Sequence, residues 1–169
     1  DRAEQMGMPA LAITDHGNMY GVKEFFKFAD KHRDKKTNEY KVKPIVGCEV
    51  YVTRHYDPKL KDNEHRSYYH LILLAKNYEG YKNLSNIVSL GHIEGLYYGK
   101  PRVSHEIVER YHEGLVCCSA CLAGEIPKDI VAGDMEAARK AVEWHKNVFG
   151  EDYYLEVMLH RTEVPGLSQ

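Results

Sequence analysis

The amino-acid sequence predicts an α/β fold built on a parallel sheet with crossover helices. Short apolar runs that follow chain-breaking residues are typical of buried strands, as at residues 10–14 after Gly7 and Pro9. Segments with a helical spacing of apolar residues stand between these runs, as at residues 77–92. Strands that alternate with helices favour a parallel sheet. The predicted strands are too few to close a full barrel, so they form part of one or a small open sheet.

The individual elements follow from the same two patterns and from capping residues. The predicted strands cover residues 10–14, 44–53, 68–75, 115–118 and 153–158. The predicted helices cover residues 19–32, 77–92, 104–111, 124–132 and 135–149, after the end of a helix at residues 1–7. Asn18, Asn77, Ser104 and Asp134 precede four of these helices as candidate N-caps. Residues 33–41, 54–66 and 94–103 lack either period and are predicted to be loops.

Composition limits the class of protein. The 169 residues make about one domain, and a net charge of −2 gives no overall attraction to nucleic acid or an anionic membrane. No apolar run approaches the length of a membrane span, and there is no signal-peptide pattern. Of the four cysteines, Cys117, Cys118 and Cys121 crowd together, which is a poor disulfide framework. Free thiols in a reducing cytoplasm are therefore expected.

Residues 10–21 (ALAITDHGNMYG) carry the first candidate site. Asp15 and His16 follow a buried strand at its carboxyl end, where α/β folds build sites, and Gly17 allows a sharp turn. An alternative is a plain strand-to-helix turn in which Asp15 and His16 satisfy each other. On the helix that follows, Lys23, Lys27 and Lys31 recur every four residues as a basic ridge or a solvated helix face.

Further candidate ligands lie on or just after the other strands. Glu49 within IVGCEVYV is costly to bury unless it is paired or binds a metal. His70 within YYHLILLA is either a ligand or a core histidine with a backbone partner. Cys121 follows the next strand. Together with His16 these residue types favour zinc or a similar metal at one edge of the sheet.

Cys118 and Cys121 form a C-x-x-C sequence. No second pair accompanies it, so a zinc knuckle is not indicated. Strand alternation places Cys118 on the same face as Val116, where it packs as a small hydrophobic residue.

The segments TDHGNMYG, GCEVYV, YYHLILLA and SACLAGEI resemble the PHP (polymerase and histidinol phosphatase) domain of the bacterial DNA polymerase III α subunit. The resemblance extends over essentially the whole chain, residues 1–169. It implies a distorted seven-stranded β/α barrel with up to nine metal ligands and up to three divalent ions. Zinc is the first expectation, with manganese and magnesium as alternatives.

By motif, His16, Glu49, His70 and Cys121 match four ligand positions of that family. Asp15 lies beside one of them and is expected to support the ligands from outside. The family's opening strand with His-x-His and its late Asp-x-His pair have no match here, and His160 is not equated with that pair. Since residues 1–7 also look like the end of a truncated helix, we expect an interior piece of a longer protein.

Three functions compete under this resemblance. The first is a metal-dependent phosphoesterase within a DNA-directed DNA polymerase (a nucleotidyltransferase), with 3′→5′ exonuclease proofreading as its reaction. The second is a structural platform that binds partner subunits without catalysis, and the third is a free-standing phosphatase, against which SACLAGEI argues. The implied partners are DNA and other replisome subunits in the cytoplasm, with no membrane. The fragment itself is expected to lack polymerase activity, to bind at most one ion tightly and to release no nucleotides.

Overall fold

The central strand β2 (Lys43–Thr53) organises the fold. In the computed structural model, which describes residues 1–54, 60 and 67–158, β2 lies inside an open, mixed sheet of seven strands. One edge of β2 pairs in parallel with β1 (Ala10–His16) and then with β5 (Lys100–Ser104). Its other edge pairs antiparallel with β3 (Tyr69–Ala75). The α/β class is thus confirmed, whereas the purely parallel sheet is wrong and the sheet does not close into a barrel.

The remaining elements extend this sheet and cover one of its faces. The other strands are β4 (Leu96–Tyr97), β6 (Leu115–Cys118) and β7 (Tyr153–Tyr154). The helices are α1 (Arg2–Gln5), α2 (Val22–Lys31), α3 (Tyr78–Ile93), α4 (His105–Arg110), α5 (Glu125–Val131) and α6 (Met135–Phe149). Strand β6 pairs antiparallel with β3 and in parallel with β7. None of the helices in the described part of the chain has the length and apolarity to cross a bilayer.

The core lies between the sheet and helices α3, α4 and α6. Alternate residues of β2 and β3 point into it, and they join residues of the three helices in one apolar cluster: Cys48, Val50, Val52, Leu71, Leu73, Leu84, Ile87, Val108 and Phe149. Because side chains alternate along a strand, Glu49, Tyr51 and His70 lie on the opposite face. Burial of the first set therefore fixes which side chains the other face presents.

Capping side chains behave as predicted at three helices and not at the fourth. Asn77, Ser104 and Asp134 each accept a hydrogen bond from a backbone amide of the first turn of α3, α4 and α6. Helix α2 instead begins after Gly21, and the predicted N-cap Asn18 makes a tight turn in which its side chain accepts from the amide of Tyr20. Because this turn occupies residues 18–20, α2 starts later than the predicted residue 19.

Two stretches differ from the predicted boundaries. The predicted loop 94–103 contains β4 and β5, joined by a two-residue turn in which Tyr98 and Gly99 both have positive φ. The predicted last strand at residues 153–158 is paired only over Tyr153–Tyr154. Most of the predicted loop 54–66, and His160, lie outside the described residues.

Candidate metal centre

Four predicted ligands, here called the metal cluster, meet at one edge of the sheet: His16, Glu49, His70 and Cys121. His16 ends β1 and is the register partner of Glu49 on β2. His70 is the second residue of β3, which runs antiparallel, so its beginning lies at the edge where β1 ends. Cys121 follows β6 in a short loop. The shared edge therefore arises from a mixed sheet, since an antiparallel strand brings its amino end to the place where parallel strands bring their carboxyl ends.

The Glu49 carboxylate is the centre of the metal cluster. One oxygen, Oε2, lies 2.7 Å from Nδ1 of His16, and the other contacts Nδ1 of His70. The Sγ atom of Cys121 is 3.7 Å from the same His70 nitrogen. One donor atom each from Glu49, His70 and Cys121 lies within 4.8 Å of the others. Carboxylate oxygen, imidazole nitrogen and thiolate sulfur are the donors that zinc takes, so these residues fit a divalent ion of that kind.

Burial within the metal cluster is graded. The side chain of Glu49 is 12% exposed and that of His70 is 22% exposed, whereas that of His16 is 72% exposed. Burial lowers the pKa of His70, the Glu49 charge opposes this, and the positive charges of Lys128, His16 and Lys100 lower it further. A neutral imidazole is the form that binds a metal ion. Glu49 and His70 thus form the recessed part of the centre, and His16 faces the solvent.

The turn after β1 fixes His16. Gly17 has φ of +67°, its amide donates to the backbone oxygen of Glu49 at 2.8 Å, and its own oxygen lies 2.8 Å from Nε2 of His92. A Cβ atom on Gly17 would lie 2.8 Å from Cγ of Pro101, so a larger residue does not fit. Asp15 points away from the metal cluster and accepts from the amide of Gly21 at 2.8 Å. Asp15 therefore shapes the turn that carries His16, and its carboxylate is used in that hydrogen bond.

The loop after β6 fixes Cys121 in a similar way. The amide of Ala123 donates to Sγ of Cys121 at 3.4 Å, and the oxygen of Ala123 accepts from the amide of His70 at 3.0 Å. One residue thereby ties the thiol to the strand that carries His70. Ala120 has φ of +62°, which turns the chain sharply before Cys121.

The other three cysteines do not join the metal cluster. Cys48, Cys117 and Cys118 are free thiols, as is Cys121. Burial raises the pKa of Cys48 to about 12 and also raises that of Cys117 and Cys118. Cys118 pairs in register with Tyr154 of β7 and lies within the sheet. The C-x-x-C sequence therefore contributes one candidate ligand, Cys121.

A group of residues that the sequence did not predict surrounds His70 and is here called the lysine–tyrosine rim: Tyr51, Tyr68, Lys100 and Lys128. The ring of Tyr51 meets His70 edge to face, with centroids 5.4 Å apart. The ring of Tyr68 lies parallel to His70 at 6.0 Å. Lys100 donates to the Tyr51 hydroxyl at 3.3 Å, and Lys128 donates to the backbone oxygen of Tyr68 at 2.9 Å. The sequence signal was the Tyr68-Tyr69-His70 run, but nothing in it identifies the lysines.

A second carboxylate cluster was also missed, here called the arginine network: Arg54, His105, Glu125, Asp129 and His145. Glu125 is 3% exposed; its carboxylate contacts Arg54 and lies 3.1 Å from Nε2 of His105. Arg54 also contacts Asp129. Burial by itself would raise the pKa of Glu125, but His105 and Arg54 hold it below its usual value. The only signal in the sequence was a charged residue beside an apolar run in LAGEIPKDIV, which also fits an exposed helix face.

Comparison with known proteins identifies relatives of the chain. The family model of the PHP domain matches residues 1–160. The DNA polymerase III subunit alpha of Borreliella burgdorferi is 42% identical over 160 residues, which is 94% of this chain and 13% of that protein. The subunit of the same name from Treponema pallidum is 41% identical over 94% of this chain and 13% of its own length. That from Deinococcus radiodurans is 39% identical over 90% of this chain. The chain thus spans about an eighth of these relatives' length, between 11% and 13% in each case.

Proposed function

The chain belongs to the PHP domain family, and from that premise we propose that it is the metal-binding, phosphoester-hydrolysing part of a replicative DNA polymerase. The observation that carries the proposal is the convergence of Glu49, His70 and Cys121 within 4.8 Å. These side chains come from three separate segments, and apolar residues flank Glu49 and His70 on their strands. A packing requirement alone does not select a carboxylate, an imidazole and a thiol for one recess.

Glu49, His70 and Cys121 would hold the ion, with His16 at its exposed side. Zinc fits this donor set best because a thiolate is a poor ligand for magnesium or manganese. When bound, the ion supplies Lewis-acid chemistry to water and to a phosphoryl oxygen. In 3′→5′ hydrolysis the water oxygen bonds to phosphorus while the bond from phosphorus to the 3′ oxygen breaks. The leaving 3′ oxygen then receives a proton.

The chain's own residues prepare this reaction by fixing the donors. The amide of Ala123 donates to the sulfur of Cys121 and so holds it in place. Glu49 orients both imidazoles through its two oxygens. His92 and Gly17 hold the turn of His16, so the most exposed donor is also constrained. The role of His16 is to complete the donor set at the side from which a substrate arrives.

Cobalt titration of the full chain tests the metal centre. We expect one Co²⁺ ion to bind tightly and to give a thiolate-to-cobalt charge-transfer band, which zinc displaces. Cys121→Ser should abolish that band, because the sulfur is then absent. Cys118→Ser is the matched control and should keep it, since Cys118 lies outside the metal cluster. No band in the wild-type chain, or equal loss in both variants, would refute the centre, and two or more stoichiometric ions would refute the prediction of a single one.

A further inference from the structure

The donor set of the metal cluster determines the net charge of the centre once a divalent ion is bound. The carboxylate of Glu49 and the thiolate of Cys121 together carry two negative charges, which cancel those of a divalent ion. A neutral centre exerts little attraction on an anion that approaches from solution. A phosphate ester therefore needs positive charge from elsewhere in the surroundings.

Lys100 and Lys128 carry that charge close to His70, where both act on its imidazole. Lys100 is held by the hydroxyl of Tyr51 at 3.3 Å, and its Nζ lies 4.8 Å from the centre of that ring. Lys128, on α5, is held by the backbone oxygen of Tyr68 at 2.9 Å. Both partners are uncharged oxygens. Among the described residues these hydrogen bonds therefore fix the two lysines without neutralising them, and the charge of Glu49 also acts on Lys100.

Three other lysines of the chain are paired with carboxylates at short distance. Lys76 pairs with Asp152 at 2.6 Å, Lys82 with Glu79 at 2.6 Å, and Lys140 with Glu136 at 2.7 Å. Within the part of the chain that the structure describes, neither Lys100 nor Lys128 has a carboxylate oxygen within 4.0 Å. The two lysines of the rim thus differ from these three, because their hydrogen-bond partners in the described part of the chain are neutral and both lysines lie beside a recessed donor set.

We propose that Lys100 and Lys128 bind successive phosphates of a nucleic-acid strand and so place a phosphodiester over the metal cluster. This inference rests on the proposed function and names residues that select its substrate. A lysine ammonium binds phosphate as a point charge, which suits a backbone whose phosphates are not read for sequence. The two lysines come from different elements, β5 and α5, and the residues that hold them, Tyr51 and Tyr68, both contact the His70 ring. A strand that contacts both lysines passes beside His70.

The salt dependence of oligonucleotide binding tests the two lysines. The probe is a short fluorescein-labelled oligothymidylate, and its dissociation constant is measured by anisotropy on the zinc-loaded full chain at several salt concentrations. For single strands each neutralised phosphate contributes about 0.7 to the slope of log K against log salt. Lys100→Gln and Lys128→Gln should each reduce that slope by about 0.7, and the double variant by about 1.4. Lys82→Gln is the matched control and should leave it unchanged, because Glu79 already neutralises Lys82.

Each outcome bears on the assignment. An unchanged slope in both rim variants, an equal loss in Lys82→Gln, or no measurable binding by the wild-type chain would overturn it. Displacement of the probe by inorganic phosphate at constant ionic strength, with equal binding of a methylphosphonate oligonucleotide, would also overturn it, since the lysines would then serve a small phosphate. The cobalt spectrum of the same variants separates the two proposals. An intact band with unchanged slopes refutes the lysines alone, and a lost band in the wild type refutes the metal centre alone.

Discussion

The metal cluster and the arginine network are built from the same kinds of residue. Each has a glutamate between two histidines: Glu49 between His16 and His70, and Glu125 near His105 and His145. They differ in the source of positive charge. Arg54 lies against the carboxylates of both Glu125 and Asp129, whereas no arginine or lysine of the described residues lies against Glu49.

That difference decides what each region can do. In the arginine network Arg54, a permanent cation, contacts both carboxylates, so they are satisfied by the chain itself. Burial opposes the charge of Arg54, but Asp129 and Glu125 raise its pKa overall, so it stays protonated. In the metal cluster no arginine or lysine of the described residues contacts Glu49, which leaves its carboxylate for the ion that we propose. The proposed difference between the two regions is therefore whether a side chain or an ion supplies the positive charge.

The largest expected loss of stability comes from a substitution that breaks the arginine network. Arg54→Met should lower the free energy of unfolding by about 3 kcal/mol, because it removes the permanent cation that contacts the buried carboxylates of Glu125 and Asp129. In metal-free protein Glu49→Gln should cost less than about 1 kcal/mol, since the amide keeps hydrogen bonds to the imidazoles. Urea denaturation of both variants measures the difference. Arg110→Met, which breaks an exposed pair with Glu106, is the control and should cost less than about 0.5 kcal/mol. Equal losses for Arg54→Met and Glu49→Gln would show that the two regions are alike.

Added zinc should raise the free energy of unfolding through the metal cluster and not through the arginine network. Free zinc at a hundredfold excess over the dissociation constant should raise the free energy of unfolding by about 2.7 kcal/mol. Glu49→Gln should lose most of that gain, while the exposed Glu79→Gln should retain it. Denaturation with and without zinc measures both. A full gain in Glu49→Gln would mean that the ion binds elsewhere on the chain.

The smallest expected effect is a pH dependence from the arginine network. Burial lowers the pKa of His145, which is 1% exposed and bonds through Nδ1 to the oxygen of Ala141 at 2.7 Å. Because the folded chain then binds fewer protons than the unfolded chain, stability is lost as the pH falls below about 6.5. The slope from this one group is at most about 1.4 kcal/mol per pH unit. Glu125, whose pKa is lowered, loses its contribution only below about 4.5, so the two windows are separate.

His145→Gln isolates this effect because glutamine keeps a donor but does not titrate. Denaturation between pH 5 and pH 7 should show a shallower decline in the variant. The decline that remains is expected from His70, the other histidine of the described residues whose pKa burial lowers. An identical decline in wild type and variant would assign it entirely to the metal cluster.

Much of this architecture could be predicted from the sequence, and β3 shows where the limit lies. Its apolar run YYHLILLA identified a buried strand, but strand direction leaves no mark in such a run. The informative feature was the segment before it: residues 54–66 have no helical period, whereas parallel neighbours need a crossover of a dozen or more residues, usually helical. Strands β4 and β5 were missed for another reason. In their turn Tyr98 has a φ of +46°, and a tyrosine in the sequence does not predict a positive φ.

The site residues that could be predicted are those whose type is unusual at their position in a strand. Glu49 and His70 interrupt apolar strands, so their cost of burial pointed to a shared purpose. Glu125 interrupts nothing: it begins a short helix where an acidic residue is ordinary, and its burial depends on Arg54, which is distant in the sequence. The same holds for Lys100 and Lys128, whose neighbours Tyr51 and Tyr68 become known only with the fold.

The antiparallel direction of β3 also sets the order in which the donors can meet during folding. Fewer residues separate Glu49 from His70 than separate the other successive donors along the chain, so the pairing of β2 with β3 closes the shortest loop and brings Glu49 to His70 first. His16 arrives when β1 docks on β2, and Cys121 arrives only when β6 pairs with β3 across the whole of α3 and α4. Contacts that span more of the chain form later, since their closure costs more entropy. The thiol is then the last donor in place, and the half-built centre of a nascent chain offers an ion only oxygen and nitrogen.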